Sequence, residues 1–241
     1  VFALMPFITP LIGAYLVSLY EWQKVFQLVF ILAVFIFILA FLFLPETHQD
    51  ADPSILEYKN LSQVFISVIK DKQVFIYGFS IFCAFGCAVT YMVSAPFIFI
   101  NTIGLSMIEF GWLAGFITAS YVIGGLINNR LTQKISLDNI ILFAFIGMLM
   151  ASFVLAISLA LWGPKLAPLI ICVFFLMLAS RMVFPNALAG AFSSATKQVG
   201  IISSVYGAYH TLGAVIASGI MSLLHFETSV SMALVLIGFS S

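Results

Sequence analysis

The sequence predicts an all-α fold, a polytopic bundle of helices that crosses a lipid bilayer about eight times. Three observations lead there. Only 7% of the 241 residues are charged, whereas 63% are hydrophobic and Phe alone occurs 26 times. A soluble domain carries about 25% charged residues, so this chain has too few charges to cover a water-facing surface. The apolar residues also fall into uncharged runs of about 20, the length at which a helix crosses the hydrocarbon core. Finally, these runs do not alternate apolar with polar, as the roughly ten-residue strands of a membrane barrel do. Backbone in lipid must satisfy its own hydrogen bonds, and helices joined by tight polar turns do so.

Cutting the runs at turn signals places helices at 1–20, 25–44, 73–100, about 110–128, 139–161, 167–189, 199–224 and from about 229 onward. Pro96 is expected to break the third. Glu21-Trp22-Gln23-Lys24 connects the first pair, residues 101–109 the third and fourth, and Gly163-Pro164-Lys165 the fifth and sixth. One connection is longer, 45–72. In it Asp52-Pro53 reads as an N-cap followed by Pro at the first helical position. Leu61, Val64, Phe65, Val68 and Ile69 then recur at helical spacing, which predicts an amphipathic helix lying along the membrane surface.

Lys and Arg in the loops set the orientation. Alternate loops hold Lys59, Lys70, Lys72, Arg130, Lys134 and Lys197 on one side, against Lys24 and Lys165 on the other. The richer side is expected to be cytoplasmic. The chain lacks an initiator Met, opens in an apolar run and stops in another, and is read as a piece of a longer protein.

Function classes narrow in the same way. Zero net charge gives no support to a nucleic-acid partner. Cys83, Cys87 and Cys172 lie in apolar runs and read as small buried thiols, with no metal site or disulfide framework. No nucleophile–His–acid cluster, HExxH, P-loop or dinucleotide fingerprint occurs, so neither an enzyme nor a cofactor is expected. All nine acids lie in loops or at helix ends. Two ionisable residues remain inside the membrane, where such groups are functional candidates by default. His210 lies mid-run, on one helical face with Ser203, Gly207, Ala214 and Ala217. It either bonds to a neighbouring helix or, lining a cavity, takes up a proton near neutral pH. Arg181 either snorkels to the interface or lines a cavity as a counter-charge to substrate or carboxylate. Among the aromatics Tyr77, Phe82, Tyr91, Phe97, Phe116, Tyr121 and Tyr209, the better cavity candidates are Tyr91 and Tyr121, whose hydroxyls need partners away from lipid.

Several stretches carry a family resemblance. Pro6-Phe7-Ile8-Thr9-Pro10-Leu11-Ile12-Gly13-Ala14 is similar to the antiporter motif of a fifth transmembrane helix, with Thr9 and Ala14 in place of two glycines. Glu21-Trp22-Gln23-Lys24-Val25-Phe26 resembles a Gly-Trp-Arg-x-x-Phe entry to a sixth helix, and Leu44-Pro45-Glu46-Thr47 resembles the Leu-Pro-Glu-Thr that closes it. Phe184-Pro185-Asn186-Ala187 matches a Pro-Asn-Ala turn of a tenth helix. Gly124-Gly125-Leu126, Asn129-Arg130-Leu131 and Lys134 look like the basic loop after an eighth helix. In order and spacing these resemble the major facilitator superfamily and, within it, the Bcr/CflA drug-resistance group of drug:proton antiporters. The resemblance implies a six-plus-six bundle whose first four helices are missing here. Residues 1–44 would be the last two helices of the N-terminal half, 45–72 the cytoplasmic linker and 73–241 the C-terminal half. It implies a multi-pass protein of the bacterial inner membrane, a monomer. It would export small lipophilic or amphipathic compounds in exchange for protons by alternating access, with bends at Pro10, Gly13, Pro96 and Pro185. The proton-carrying acid expected of such antiporters would lie in the missing helices, or His210 would substitute for it. A metabolite transporter of the same fold, for a sugar, amino acid or organic acid, is the alternative. A membrane-embedded enzyme would need an interfacial cluster of His, Asp or Arg that the sequence lacks.

Overall fold

The computed structural model describes residues 5–45, 66–194, 199–224 and 229–241, and these are helical with no strand. We number the helices α1 (Met5–Leu19), α2 (Trp22–Phe43), α3 (Lys72–Pro96), α4 (Met107–Leu131), α5 (Leu137–Trp162), α6 (Leu166–Ser194), α7 (Val199–Leu223) and α8 (Ser229–Ser240), with a π-helical segment, Phe97–Thr102, continuing α3. Among the described residues, six helices, α2 to α7, are long and apolar enough to cross a membrane. The expected first and eighth spans correspond to shorter helices of 15 and 12 residues. A helix of 25 residues is about 38 Å long, against a hydrocarbon core of about 30 Å.

Local chemistry explains most of the helix ends. The Asp71 carboxylate accepts from the backbone N–H groups of Gln73 (2.8 Å) and Val74 (3.1 Å), capping α3. Ser106 and Glu109 form a reciprocal capping box at the start of α4, which satisfies two otherwise orphaned donors. Ser136 accepts from Asn139 N–H at 3.4 Å to start α5. Gly104 and Gly163, at φ of 86° and 68°, close the turns after the π segment and after α5, a backbone region open to glycine at little cost.

Two expectations change. The connection read at Glu21–Lys24 is shorter, because Trp22, Gln23 and Lys24 form the first turn of α2. Pro96 does not break the third helix. The α-helix runs through Pro96, whose missing N–H leaves the Met92 carbonyl without that donor, and the backbone widens into the π segment immediately after it. Thr90 and Ser94 bond back to the carbonyls of Gly86 and Thr90, four residues earlier, a pattern that favours helix bending. The amphipathic helix predicted within 45–72 falls mostly outside the described residues; helix resumes at 66–70. Lys59, Lys197 and Glu227 lie outside them too.

α3 is the hub of the bundle, packing on α6, α7 and α8. Its Val74, Tyr77, Ile81, Ala84, Ala88, Tyr91 and Ala95 are buried, one helical face. α5 packs on α6 and α8, α4 on α6 and α1, and α2 touches α1 with no residue buried. The outward faces remain apolar: Phe30, Phe37 and Phe41 of α2, and Phe143, Met150 and Ile157 of α5, are exposed. Against water such continuous apolar surface is a liability; against lipid chains it is the appropriate surface. Lipid offers no hydrophobic drive to join helices, so close packing of small residues does that work, and the α3 face supplies it.

Candidate functional site

Two glycines set the spacing of the helices around the central cavity. Gly124 of α4 faces the backbone carbonyl of Leu178 on α6; an added Cβ would stand 2.5 Å from that oxygen and 3.3 Å from the Arg181 Cβ. Gly213 of α7 lies in the same way against the Phe82 carbonyl of α3. Contacts this close leave no room for a side chain, so α4 is seated against α6 and α7 against α3.

Where α3, α4, α6 and α7 meet is a cavity of about 190 Å³. Ile81, Ala84, Phe85 and Phe184 line it as apolar wall, and Tyr121, Ser180, Arg181 and His210 supply the polar groups. The His210 imidazole stacks on Phe85, with centroids 3.4 Å apart and planes at 24°, and meets Phe184 edge-on at 5.7 Å. The buried Ser180 donates its hydroxyl to the Ala84 carbonyl at 3.2 Å, tying α6 to α3. Tyr121 stands beside Ser180 and Arg181.

Three of the sequence candidates, Tyr121, Arg181 and His210, therefore meet at one place. Arg181 is nearer mid-helix than its uncharged run implied, because α6 continues to Ser194. It lines the cavity wall. The face expected to carry His210 is rotated. Ile202, Val205, Tyr206, Gly213, Ala217 and Met221 are the buried positions of α7 among the described residues, while Ser203 and Gly207 are exposed. His210 sits at the edge of the packed stripe, and an aromatic contact takes the place of the anticipated interhelical hydrogen bond.

Tyr91 is buried on α3 but is not among the residues that line the cavity. Tyr77 instead bonds to Asp138 at the start of α5, at 2.6 Å. Phe116 stacks on Phe174, and Phe82 packs on Phe79 and Phe239. Pro10 and Gly13 lie within the continuous helix α1. Pro185 and Asn186 form no turn, since α6 runs through both. Pro185 has no N–H to give to the carbonyl four residues before it, which is that of Arg181. Asn186, next to it, donates to the Met182 carbonyl (2.6 Å) and to the side chain of Asn128 on α4 (2.5 Å). Arg130, exposed in the last turn of α4, suits the negative end of the helix dipole, and Lys134 is exposed in the following turn. Cys87 and Cys172 are buried and Cys83 is half-buried, all as free thiols.

Sequence reasoning missed Ser180, Phe85 and Phe184. Phe184 had a signal, three residues beyond Arg181 and so on the same helical face. Phe85 had none, because its place depends on how α3 docks against α7.

The sequence matches the family model of the Major Facilitator Superfamily over residues 1–239. The chain belongs to that superfamily of membrane transporters, and it is a multi-pass bacterial membrane protein. It is similar to the bicyclomycin resistance protein homolog of Haemophilus influenzae, 23% identical over 224 residues, covering 92% of this chain and 56% of that protein. It is also similar to an uncharacterized transporter of Rickettsia felis, 26% identical over 92% of this chain and 57% of the relative, and to one of Rickettsia bellii, 24% identical over 95% and 58%. The chain thus spans a little over half the length of these relatives. Family and relatives point to a transporter rather than an enzyme.

Proposed function

We propose that the chain is the larger part of an exporter of small amphipathic compounds driven by proton antiport. The observation that carries this is the cavity between α3, α4, α6 and α7, which sets Phe85, Phe184 and Ile81 against Tyr121, Ser180, Arg181 and His210. A mostly apolar pocket with a few convergent polar groups is the usual form of a small-molecule site. The resistance name of the Haemophilus relative supports a drug-like substrate. In this reading residues 1–44 close the first half of a twelve-helix transporter, 45–72 link the halves on the cytoplasmic side, and 73–241 form the second half. Rocking of the halves about a midplane site would expose the cavity to each side in turn, with the π segment after Pro96 as a point of give. His210, a titratable group on the cavity wall, is the proton-coupling candidate of this chain.

The test is expression of the full-length protein in a bacterial host lacking its own drug exporters. Raised tolerance to at least one lipophilic compound, abolished by a protonophore, is expected. Unchanged susceptibility across a broad panel of such compounds counts against the exporter.

A further inference from the structure

Arg181 is a permanent cation in the middle of a membrane helix, and the cavity it lines contains no acid. The acids among the described residues, Glu21, Asp71, Glu109 and Asp138, all stand at helix starts. Among the described residues Arg181 has neither an ion pair nor a hydrogen-bonded partner. Arg181 is half-buried, and intramembrane cations pair with an anion or face a water-filled space. Its planar fork is also shaped to hold a carboxylate through two parallel bonds.

The rest of the cavity fits the body of such an anion. Phe85, His210 and Phe184 form a cluster of ring faces and edges, suited to a flat aromatic group. Tyr121 stands beside Arg181 with a hydroxyl able to donate a further bond to an oxyanion.

Resting on the exporter reading above, we propose that this cavity is a subsite for aromatic anions. A carboxylate or similar planar acid pairs with Arg181 and Tyr121, and its ring lies against Phe85 and His210. The other claimant for Arg181, a carboxylate from a protein segment outside this chain, predicts the opposite selectivity. It would leave the cavity neutral or acidic, and would favour uncharged or cationic ligands.

Three ligands of one shape distinguish these outcomes: 1-naphthoate, its neutral amide 1-naphthamide, and 1-naphthylmethylammonium. Binding of each to the purified full-length protein in detergent is measured by equilibrium dialysis. We expect naphthoate to bind at least tenfold more tightly than the amide, with the ammonium weakest. In Arg181→Gln the naphthoate-to-amide ratio should fall to within about twofold of one, and Arg181→Lys should retain part of the preference. Equal binding of acid and amide by the unaltered protein overturns the anion subsite but leaves the amphipathic exporter standing. So does preference for the ammonium, or an acid preference that survives Arg181→Gln. If none of the three binds, the aromatic-anion subsite is overturned, while the exporter stands or falls on the susceptibility panel. The comparison within the unaltered protein decides even if a variant does not fold.

Discussion

His210 and Arg181 show how much a single residue's meaning depends on its surroundings. In the sequence both are merely ionisable groups in apolar runs. In the bundle they share one cavity, with His210 held face-on by Phe85 and edge-on by Phe184. A coupling role for this imidazole would appear as pH dependence of export. His210→Ala should weaken proton-driven export by the full-length protein and flatten its variation between pH 6 and 8, measured as efflux rate at fixed substrate in inverted vesicles. A rate and pH profile matching the parent would remove His210 from the coupling. At this scale the sequence was legible for charge and silent on partners. Arg181 and His210 stand out because charge in lipid is costly, whereas Phe85 is one of 26 phenylalanines until α3 docks. Tyr91 shows the converse, since a hydroxyl on a buried face is a reasonable cavity candidate and yet its register points elsewhere in the core.

Elements were read more reliably than residues. The turn at Gly163 agrees with the structure, because Gly-Pro-Lys between two apolar runs is a local signal. The errors have local causes as well. Counting charges put Trp22–Lys24 in a connection, although the first turn of a helix tolerates polar residues because they sit at the interface. Pro96 reads as a break in the third helix, which instead continues through it into the π segment, and Pro185-Asn186 reads as a turn, where Asn186 anchors α6 to α4 through Asn128. Interhelical hydrogen bonds in membranes average only about 0.6 kcal/mol, reaching about 1.7, so this pair fixes register more than it adds stability. Gly124 is the tighter constraint. Gly124→Ala sets a methyl 2.5 Å from the Leu178 carbonyl, and overpacking of this kind costs about 1–3 kcal/mol. The variant should show a lower thermal midpoint in detergent and weaker substrate binding, because α6 carries Arg181 with it when it shifts. Gly125→Ala, at the next position but with nothing within 4 Å of the added Cβ, should leave the midpoint close to the parent's.

For the whole molecule, composition alone established the solvent. A chain with 7% charged residues belongs in lipid, and the exposed Phe143, Met150 and Ile157 on the outward face of α5 suit that solvent. Which helices pack around α3 was not legible, because periodicity says which face of a helix is buried but not which helix covers it. The central claim is that the cavity at the meeting of α3, α4, α6 and α7 is where transported compounds sit. Ala84, on its wall and small enough to replace, offers a direct test. Ala84→Cys is introduced into a cysteine-free version of the full-length protein in membrane vesicles and treated with a water-soluble maleimide, with Leu155→Cys, buried between α5 and its neighbours at 1% exposure, as the reference. The account predicts that Ala84→Cys reacts, that Leu155→Cys does not, and that an excess of an exported compound slows the reaction at Ala84→Cys. Failure of Ala84→Cys to react in any condition, or labelling indifferent to every exported compound, would contradict it.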